Sequence, residues 1–341
     1  MYLQMMKALN RILEASGIPS VAGGIEPGPV VVAGLTPCLQ RTLVFDALQV
    51  GSVNRTNAVT ESASGKGTNV ARIVMQLGGA AALVTPLGGS RGELFLNYLK
   101  SELPGMRVAP VTVPEDMRIC QTLIDTQKNQ VTELVEESAP LDSATLACIE
   151  TGIGQYLKQS TGGILVLSGS PPPGSDSGLY ARWVGMFQSV GARVFVDSQK
   201  GPLQKAIEAS PWLVKANQEE WEATLGRKLP DSESRIAALL QVLDKGVTMA
   251  VMSLGGNGAL MVSRQGHALG KHPSLECLNP IGSGDAMMAG MALAAHCGGD
   301  CFSALKLGLA CGMANTLSLT SGSLTRDDVI GFVPEIDLEL L

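Results

Sequence analysis

The sequence predicts an α/β protein with a mainly parallel central sheet and helices on both of its faces. Short apolar runs alternate with amphipathic segments along most of its 341 residues, the rhythm of βαβ units. Glycine is abundant, 40 residues in all, while aromatic residues make up only 4%. Tight strand-to-helix turns and aliphatic packing are therefore expected, and a hydrophobic share of 45% is enough for one large core.

Tyr2, Met5, Met6, Leu9, Ile12 and Leu13 recur at helical spacing, with Lys7, Asn10, Arg11 and Glu14 between them. This short amphipathic helix needs an apolar surface, supplied by its own domain, by a second subunit or by another partner that it docks on. Segment 17–29, rich in glycine and proline, reads as a linker, so 1–29 is an extension and 30–341 the main domain. Val30–Ala33 is the first strand. Further strands are expected near 81–87, 164–168, 193–197, 212–215, 248–253 and 258–263. Helices are expected near 66–77, 92–103, 143–158, 176–190, 218–226, 232–245, 285–297 and 301–318. Segments 36–60 and 108–135 break the rhythm with half-polar, strand-like runs at 41–45, 119–124 and 130–135. They are expected to form a small antiparallel sheet, a lid over the carboxyl ends of the main strands. An open edge of that sheet suits a second copy, giving a homodimer through the lid.

Lysine and arginine total 25 against 31 acidic residues, a net charge of −6 that argues against a nucleic-acid footprint. Small molecules are the expected partners. Seven scattered cysteines without a C-x-x-C pair read as reduced thiols in a cytoplasmic protein, and three histidines leave little for a histidine metal site. The least polar stretch, 286–297, is too short to span a bilayer, and no secretory apolar core is present, so no membrane is expected.

Four stretches carry chemistry. Asn279-Pro-Ile-Gly-Ser-Gly-Asp285 leads into a small-residue helix, where Gly282, Ser283 and Gly284 free N–H groups for an anion. Asp285 there suits a general base in phosphoryl transfer or, more plainly, a helix-capping acid. Ser64-Gly-Lys-Gly-Thr-Asn69 opens another helix; it is not a P-loop, because Glu61 and Gly67 stand where that motif needs Gly and Ser or Thr. Lys66 there could meet a phosphate, or simply be solvated. Trp212 to Glu220 runs from strand to helix and places Lys215, Asn217 and Glu220 at the sheet's carboxyl end. Glu220 suits water-mediated Mg²⁺ or an ordinary acidic first turn. Ser253-Leu-Gly-Gly-Asn-Gly258 suits a nucleotide or a plain β-turn. A rival chemistry comes from Gly88-Gly-Ser-Arg-Gly92, which fits the G-x-S-x-G of serine hydrolases at Ser90 but has no histidine in a recognisable setting. His296, Cys297, Cys301 and Cys311 have loose metal spacing, and buried thiols are the better reading.

Taken together and in this order, from residue 30 to 335, these motifs resemble the PfkB branch of the ribokinase-like carbohydrate kinases, particularly 1-phosphofructokinases and tagatose-6-phosphate kinases. Val53-Asn-Arg55 and Ser168-Gly-Ser-Pro-Pro-Pro-Gly174 also match that family. The resemblance implies a ribokinase-like three-layer sandwich with a β-sheet lid, and transfer of the ATP γ-phosphoryl group to a ketohexose phosphate, giving a bisphosphate. It implies Asp285 as base and Gly282, Ser283 and Gly284 as anion hole. Arg55, Lys66 and Arg118 would hold the substrate phosphate, and Gln40, Gly65 and Asn69 the sugar. ATP would meet Lys215, Asn217, Ser253, Gly255, Gly258 and Asn315, with Mg²⁺ on Glu220 through water. Three departures stand out: Gln40 replaces the family's sugar-binding Asp, Ser64 its first glycine, and Ala216 the proline of Lys-Pro-Asn. Gln40 leaves two alternatives, a kinase for a different sugar or a non-catalytic sensor of sugar phosphate or nucleotide on the same fold.

Overall fold

The computed structural model describes residues 2–18, 28–159 and 162–341, so 19–27 of the expected linker lie outside the described residues. The chain runs α1 (Tyr2–Ala15), β1 (Val30–Ala33), β2 (Cys38–Phe45), β3 (Val59–Ser64), α2 (Lys66–Gln76), β4 (Ala81–Leu87) and α3 (Gly89–Glu102). Next come β5 (Arg107–Thr112), β6 (Ile119–Asp125), β7 (Gln130–Val135), α4 (Ser143–Leu157), β8 (Ile164–Ser168), α5 (Leu179–Gln188), β9 (Arg193–Asp197) and α6 (Lys200–Glu208). It ends with β10 (Leu213–Asn217), α7 (Gln218–Leu225), α8 (Ser232–Leu243), β11 (Met249–Ser253), β12 (Ala259–Ser263), β13 (Gly266–Lys271), α9 (Ser283–His296), α10 (Cys301–Thr316), α11 (Arg326–Phe332) and β14 (Asp337–Leu340).

Ten strands form the main sheet in the order β14-β13-β12-β11-β10-β9-β8-β1-β4-β5, parallel from β11 to β5 and antiparallel beyond β11. Both faces of its centre are covered, which is why its strands are apolar throughout rather than alternating. Val30 and Val32 point into one core with α2, α9 and α10; Val31 and Ala33 point into the other with α4, α5 and α8. After β1 the chain moves outward through β4 and β5, then returns to β8 on the opposite flank. The two directions part at β1, and such a switch point leaves a crevice above the strands' carboxyl ends.

The second sheet, β3-β2-β6-β7, is the small one expected from the half-polar segments. Two details differ. Residues 107–112, counted from 108 as lid, form β5 and pair in parallel with β4, Ala82 opposite Arg107. An edge strand is half exposed, so its composition imitates a lid strand. The lid is also mixed rather than antiparallel: β2 and β6 run parallel, Gln40 opposite Cys120. The chain enters both from the same side of the main domain.

α1 finds its apolar surface on its own domain. Leu9, Ile12 and Leu13 are buried beside α11 and the turn Val333–Glu335, and Ile18 lies against Gly299. The His296 ring nitrogen Nε2 stands 2.6 Å from the Gly28 carbonyl oxygen, anchoring the chain where it re-enters the described fold. Leu13→Ala should lower the unfolding free energy by about 2–4 kcal/mol, whereas Arg11→Ala on the exposed face should stay within ~0.5 kcal/mol; urea titration measures both.

Candidate active site

α9 is capped by Gly282, whose φ of +87° and contact with Gly322 leave no room for a side chain. The turn is held from two sides: Ser283 Oγ donates to the Pro280 carbonyl at 2.8 Å, and Asn315 Nδ2 on α10 donates to the Ile281 carbonyl at 2.9 Å. Asn315 therefore braces the glycine turn from behind. The Ser283 N–H donates to the Pro280 carbonyl at 3.2 Å, and the other first-turn N–H groups of α9, which a helix leaves without an intrahelical partner, make a ready site for an anion.

Asp285 lies in that first turn and is buried. Its Oδ2 accepts from Asn69 Nδ2 on α2 at 2.8 Å. The Asn69 amide is oriented by two donors on its oxygen, Ser64 Oγ at 3.0 Å and Arg72 at 3.2 Å. Burial pushes the Asp285 carboxyl up to about 6, against the pull of Lys66, Asn69 and Lys215 and with the neighbouring Asp197 adding to the rise. A carboxyl poised near neutral pH, in a crevice, is suited to take a proton.

Charged groups from four elements gather beside it. Lys66, first residue of α2 with Gly65 as its cap, stands 3.7 Å from Glu220 Oε1 and 4.0 Å from Asp197 Oδ1. Asp197 foremost, then Asp285 and Glu220, raise the Lys66 ammonium above the ordinary lysine value despite desolvation. Lys215 in the middle of β10 forms a buried ion pair with Asp197, 3.0 Å from Oδ2. Burial works against ionised Asp197, yet Lys215 and Lys66 hold its carboxyl below the usual carboxylate value. Glu220 Oε2 and Asn217 Oδ1 exchange hydrogen bonds with each other's N–H groups, both 2.8 Å, as a capping box on α7.

Asn217, Ser253, Gly255, Gly258, Ser283 and Gly284 share one cleft of about 390 Å³ between the β11–β12 turn and α9. Leu275, Met287, Leu309 and Met313 line its apolar side, and His272 and Cys277 its rim. Lys215 is turned from this cleft toward Asp197. On the lid, Gln40 is buried and its Nε2 donates to Thr122 Oγ1 at 2.8 Å. Arg118 donates to the carbonyls of Thr36 at 2.9 Å and Glu136 at 3.0 Å, and at 3.4 Å to that of Pro37. Arg55 is exposed on the loop after β2. The three expected phosphate cations thus share no common partner: Lys66 faces the acids, while Arg118 sits at the root of the lid.

Asp197 escaped the sequence reading. Its signal was an acid closing the apolar run of β9, in register with Lys215 next door on β10. Among the described residues no three His, Cys, Asp or Glu side chains gather as a metal site, and every described cysteine is a free thiol. Ser90 is exposed at the start of α3, while His267, His272 and His296 lie on β13, at the cleft and at the end of α9. No described helix is long and apolar enough to cross a membrane.

A family profile described as pfkB family carbohydrate kinase matches residues 30–326. The chain belongs to this family. The 1-phosphofructokinase of Xanthomonas campestris pv. campestris is 31% identical over 268 residues, 77% of this chain and 83% of that enzyme. Phosphofructokinase-2 from Escherichia coli, solved in complex with fructose-6-phosphate, superposes with a TM-score of 0.82 at 27% identity, covering 90% of this chain and 98% of its own. Ribokinase from Thermotoga maritima shares the fold alone, with a TM-score of 0.69 and 17% identity over 90% of this chain and 99% of its own. This PfkB protein is accordingly a ribokinase-like sugar kinase, a phosphotransferase with an alcohol acceptor. The reading as a non-catalytic sensor is not favoured, and α1 lies outside the family match.

The Asp285 carboxyl also sets a stability signature. Its folded value near 6 exceeds the ordinary 3.8, so ionisation costs more in the fold than in the unfolded chain. Its contribution is greatest below pH 4 and is lost as pH rises through 6. Asp285→Asn should therefore stabilise the protein at pH 8 by about 2–3 kcal/mol and match the parent at pH 3.5, as read by urea unfolding at each pH.

Proposed function

We propose that this PfkB kinase transfers the γ-phosphoryl group of ATP to a ketohexose phosphate, with fructose 1-phosphate the first candidate and tagatose 6-phosphate the second, giving a bisphosphate. The observation that carries the reading is Asp285: a buried carboxyl raised to about 6, at the N-terminus of α9, hydrogen-bonded to Asn69 and next in the chain to Ser283 and Gly284, which line the cleft with Ser253 and Gly255. The relatives named 1-phosphofructokinase support the substrate class.

In this mechanism the acceptor hydroxyl approaches Asp285, which takes its proton as the oxygen attacks phosphorus. The N–H groups of Gly282 and Gly284 at the head of α9 would meet the charge growing on the transferring group, while that of Ser283 stays on the Pro280 carbonyl. Lys66 and Lys215 add positive charge on the same side, and both are held in place by Asp197 before any phosphate arrives. Gln40 contributes a neutral amide where a carboxylate would accept a charge-assisted bond. Arg118 and Arg55 supply cations on the lid side for the sugar's own phosphate.

Magnesium fits the donors present. Asp197 Oδ1 is buried without a hydrogen-bond partner and Glu220 Oε1 faces the same space, and Mg²⁺ commonly takes one or two carboxylates with waters and phosphate oxygens. Glu220, through water, and Asp197 would hold it, and the ion would neutralise charge on the phosphates. The reading extends to a cytoplasmic homodimer through the lid, whose edge strands β3 and β7 expose Val59, Leu134 and Val135.

The test is ADP release from Mg·ATP with fructose 1-phosphate, tagatose 6-phosphate, fructose 6-phosphate and the free sugars. Turnover is expected on one ketohexose phosphate, with an acid limb near pH 6, and a loss of about 10²–10⁴-fold in Asp285→Asn. Preference for an unphosphorylated sugar, or near-parental turnover in Asp285→Asn, would sink the proposal.

A further inference from the structure

The glycine-rich turn at 88–92 takes no part in the chemistry above, yet segment 113–118 is packed on it with no space to spare. A side chain at Gly88 would overlap the Glu115 carbonyl, and one at Gly89, where φ is +63°, would overlap the Asp116 carboxylate. Asp116 Oδ1 accepts the N–H of Arg91 at 3.1 Å and that of Met117 at 3.0 Å. The Arg91 side chain folds back on the same segment: Nε stands 3.5 Å from Asp116 Oδ2, and Nη1 donates to the Met117 carbonyl at 2.9 Å. Nη1 is also 3.8 Å from Glu136 Oε2, just past β7, and that oxygen accepts the Ile119 N–H at 2.8 Å.

Arg118 sits between these two fixed points. Met117 is tied to Arg91, and Ile119 is tied to Glu136, which Arg91 also faces. The Arg118 guanidinium in turn bonds carbonyls of Thr36, Pro37 and Glu136. Those residues mark where the chain enters the lid before β2 and leaves it after β7, while Arg118 itself precedes β6. Three of its five N–H groups are engaged there, which leaves two for a ligand. A planar guanidinium recognises phosphate only in the right orientation, so the segment that carries it has to be held still.

We propose that Arg91 is a positioning residue for Arg118: paired with Asp116 and facing Glu136, it pins segment 116–119 so that the remaining Arg118 N–H groups face the phosphate of the sugar substrate. The proposal rests on the sugar-phosphate reading above. It assigns a task to an arginine whose side chain faces Asp116, Met117 and Glu136, and explains why the turn is crowded down to glycine. Asp116 alone would suffice to cap α3; the side chain of Arg91 is what carries the contact on to Met117 and Glu136.

The full-length chain with Arg91→Ala should show a KM for the sugar phosphate raised about tenfold, with kcat and the ATP KM within about twofold of the parent. Arg91→Lys, which keeps a charge facing Asp116 and Glu136, should recover most of the loss. Amide exchange at Met117 and Ile119, which needs no substrate, should quicken about tenfold or more in Arg91→Ala. An unchanged KM together with unchanged exchange overturns the proposal. So does a variant in which kcat falls, both KM values rise and the melting temperature drops together, the pattern of general unfolding. If the parent turns over no sugar phosphate, the substrate reading fails by itself; quickened exchange then still supports the pin, and unchanged exchange overturns it.

Discussion

The hydrogen bond from Asn69 to Asp285 joins residues 216 positions apart in the chain, and most of the active site is arranged to keep it. Donors on the amide oxygen decide which end of the side chain faces the carboxylate, and here Ser64 and Arg72 hold the oxygen so that the NH2 group faces Asp285. Arg72 is fully buried and needs partners of its own, found in Glu102 at 2.8 Å and the Ala63 carbonyl. On the far side Gly322 crowds the Asn69 side chain, so a larger residue there would displace it. The line from Glu102 through Arg72 and Asn69 to Asp285 thus ties α3, α2 and α9 into one unit. Charge, burial and hydrogen bonding are satisfied together or not at all.

The acids and cations beside this unit illustrate a related economy. Lys215 and Asp197 are both withdrawn from water, so each would be costly alone. Paired, they present a neutral base on which Lys66 is suspended, its ammonium shared between Asp197 and Glu220. The flexible lysine is ordered when the protein folds rather than when a ligand arrives, so less freedom remains to be lost on binding.

Much of the fold was legible because burial on both faces makes the central strands continuously apolar, and β1, β4, β8, β9, β10, β11 and β12 stand out in the sequence for that reason. β5 was misjudged for the same reason in reverse: at the edge, its half-exposed pattern has the composition of a lid strand. β13 and β14 went unseen, one carrying two glycines and a histidine, the other a short acidic run near the chain's end. In the site, glycines ahead of a helix and an acid in its first turn are local features, so Asp285 could be read directly. The direction of Lys66 could not be, since it is set by Asp197 and Glu220 from distant elements. The apolar wall of the cleft was equally hidden, because Leu309 and Met313 on α10 differ in no way from core residues until the helix is placed.

α1 lies beyond the family match, yet its buried residues meet α11 and the turn at 333–335. On the ribosome α1 is therefore made long before the surface it needs. From the synthesis of α1 to that of α11 this face of an amphipathic helix lacks the surface it packs on, and α11 when it comes is bare too until the two meet. Such exposed apolar faces are what chaperones and proteases recognise. A chain cut short before α11 can complete most of its sheet and still carry an unburied helix, so docking of α1 distinguishes a chain made through α11 from one interrupted before it.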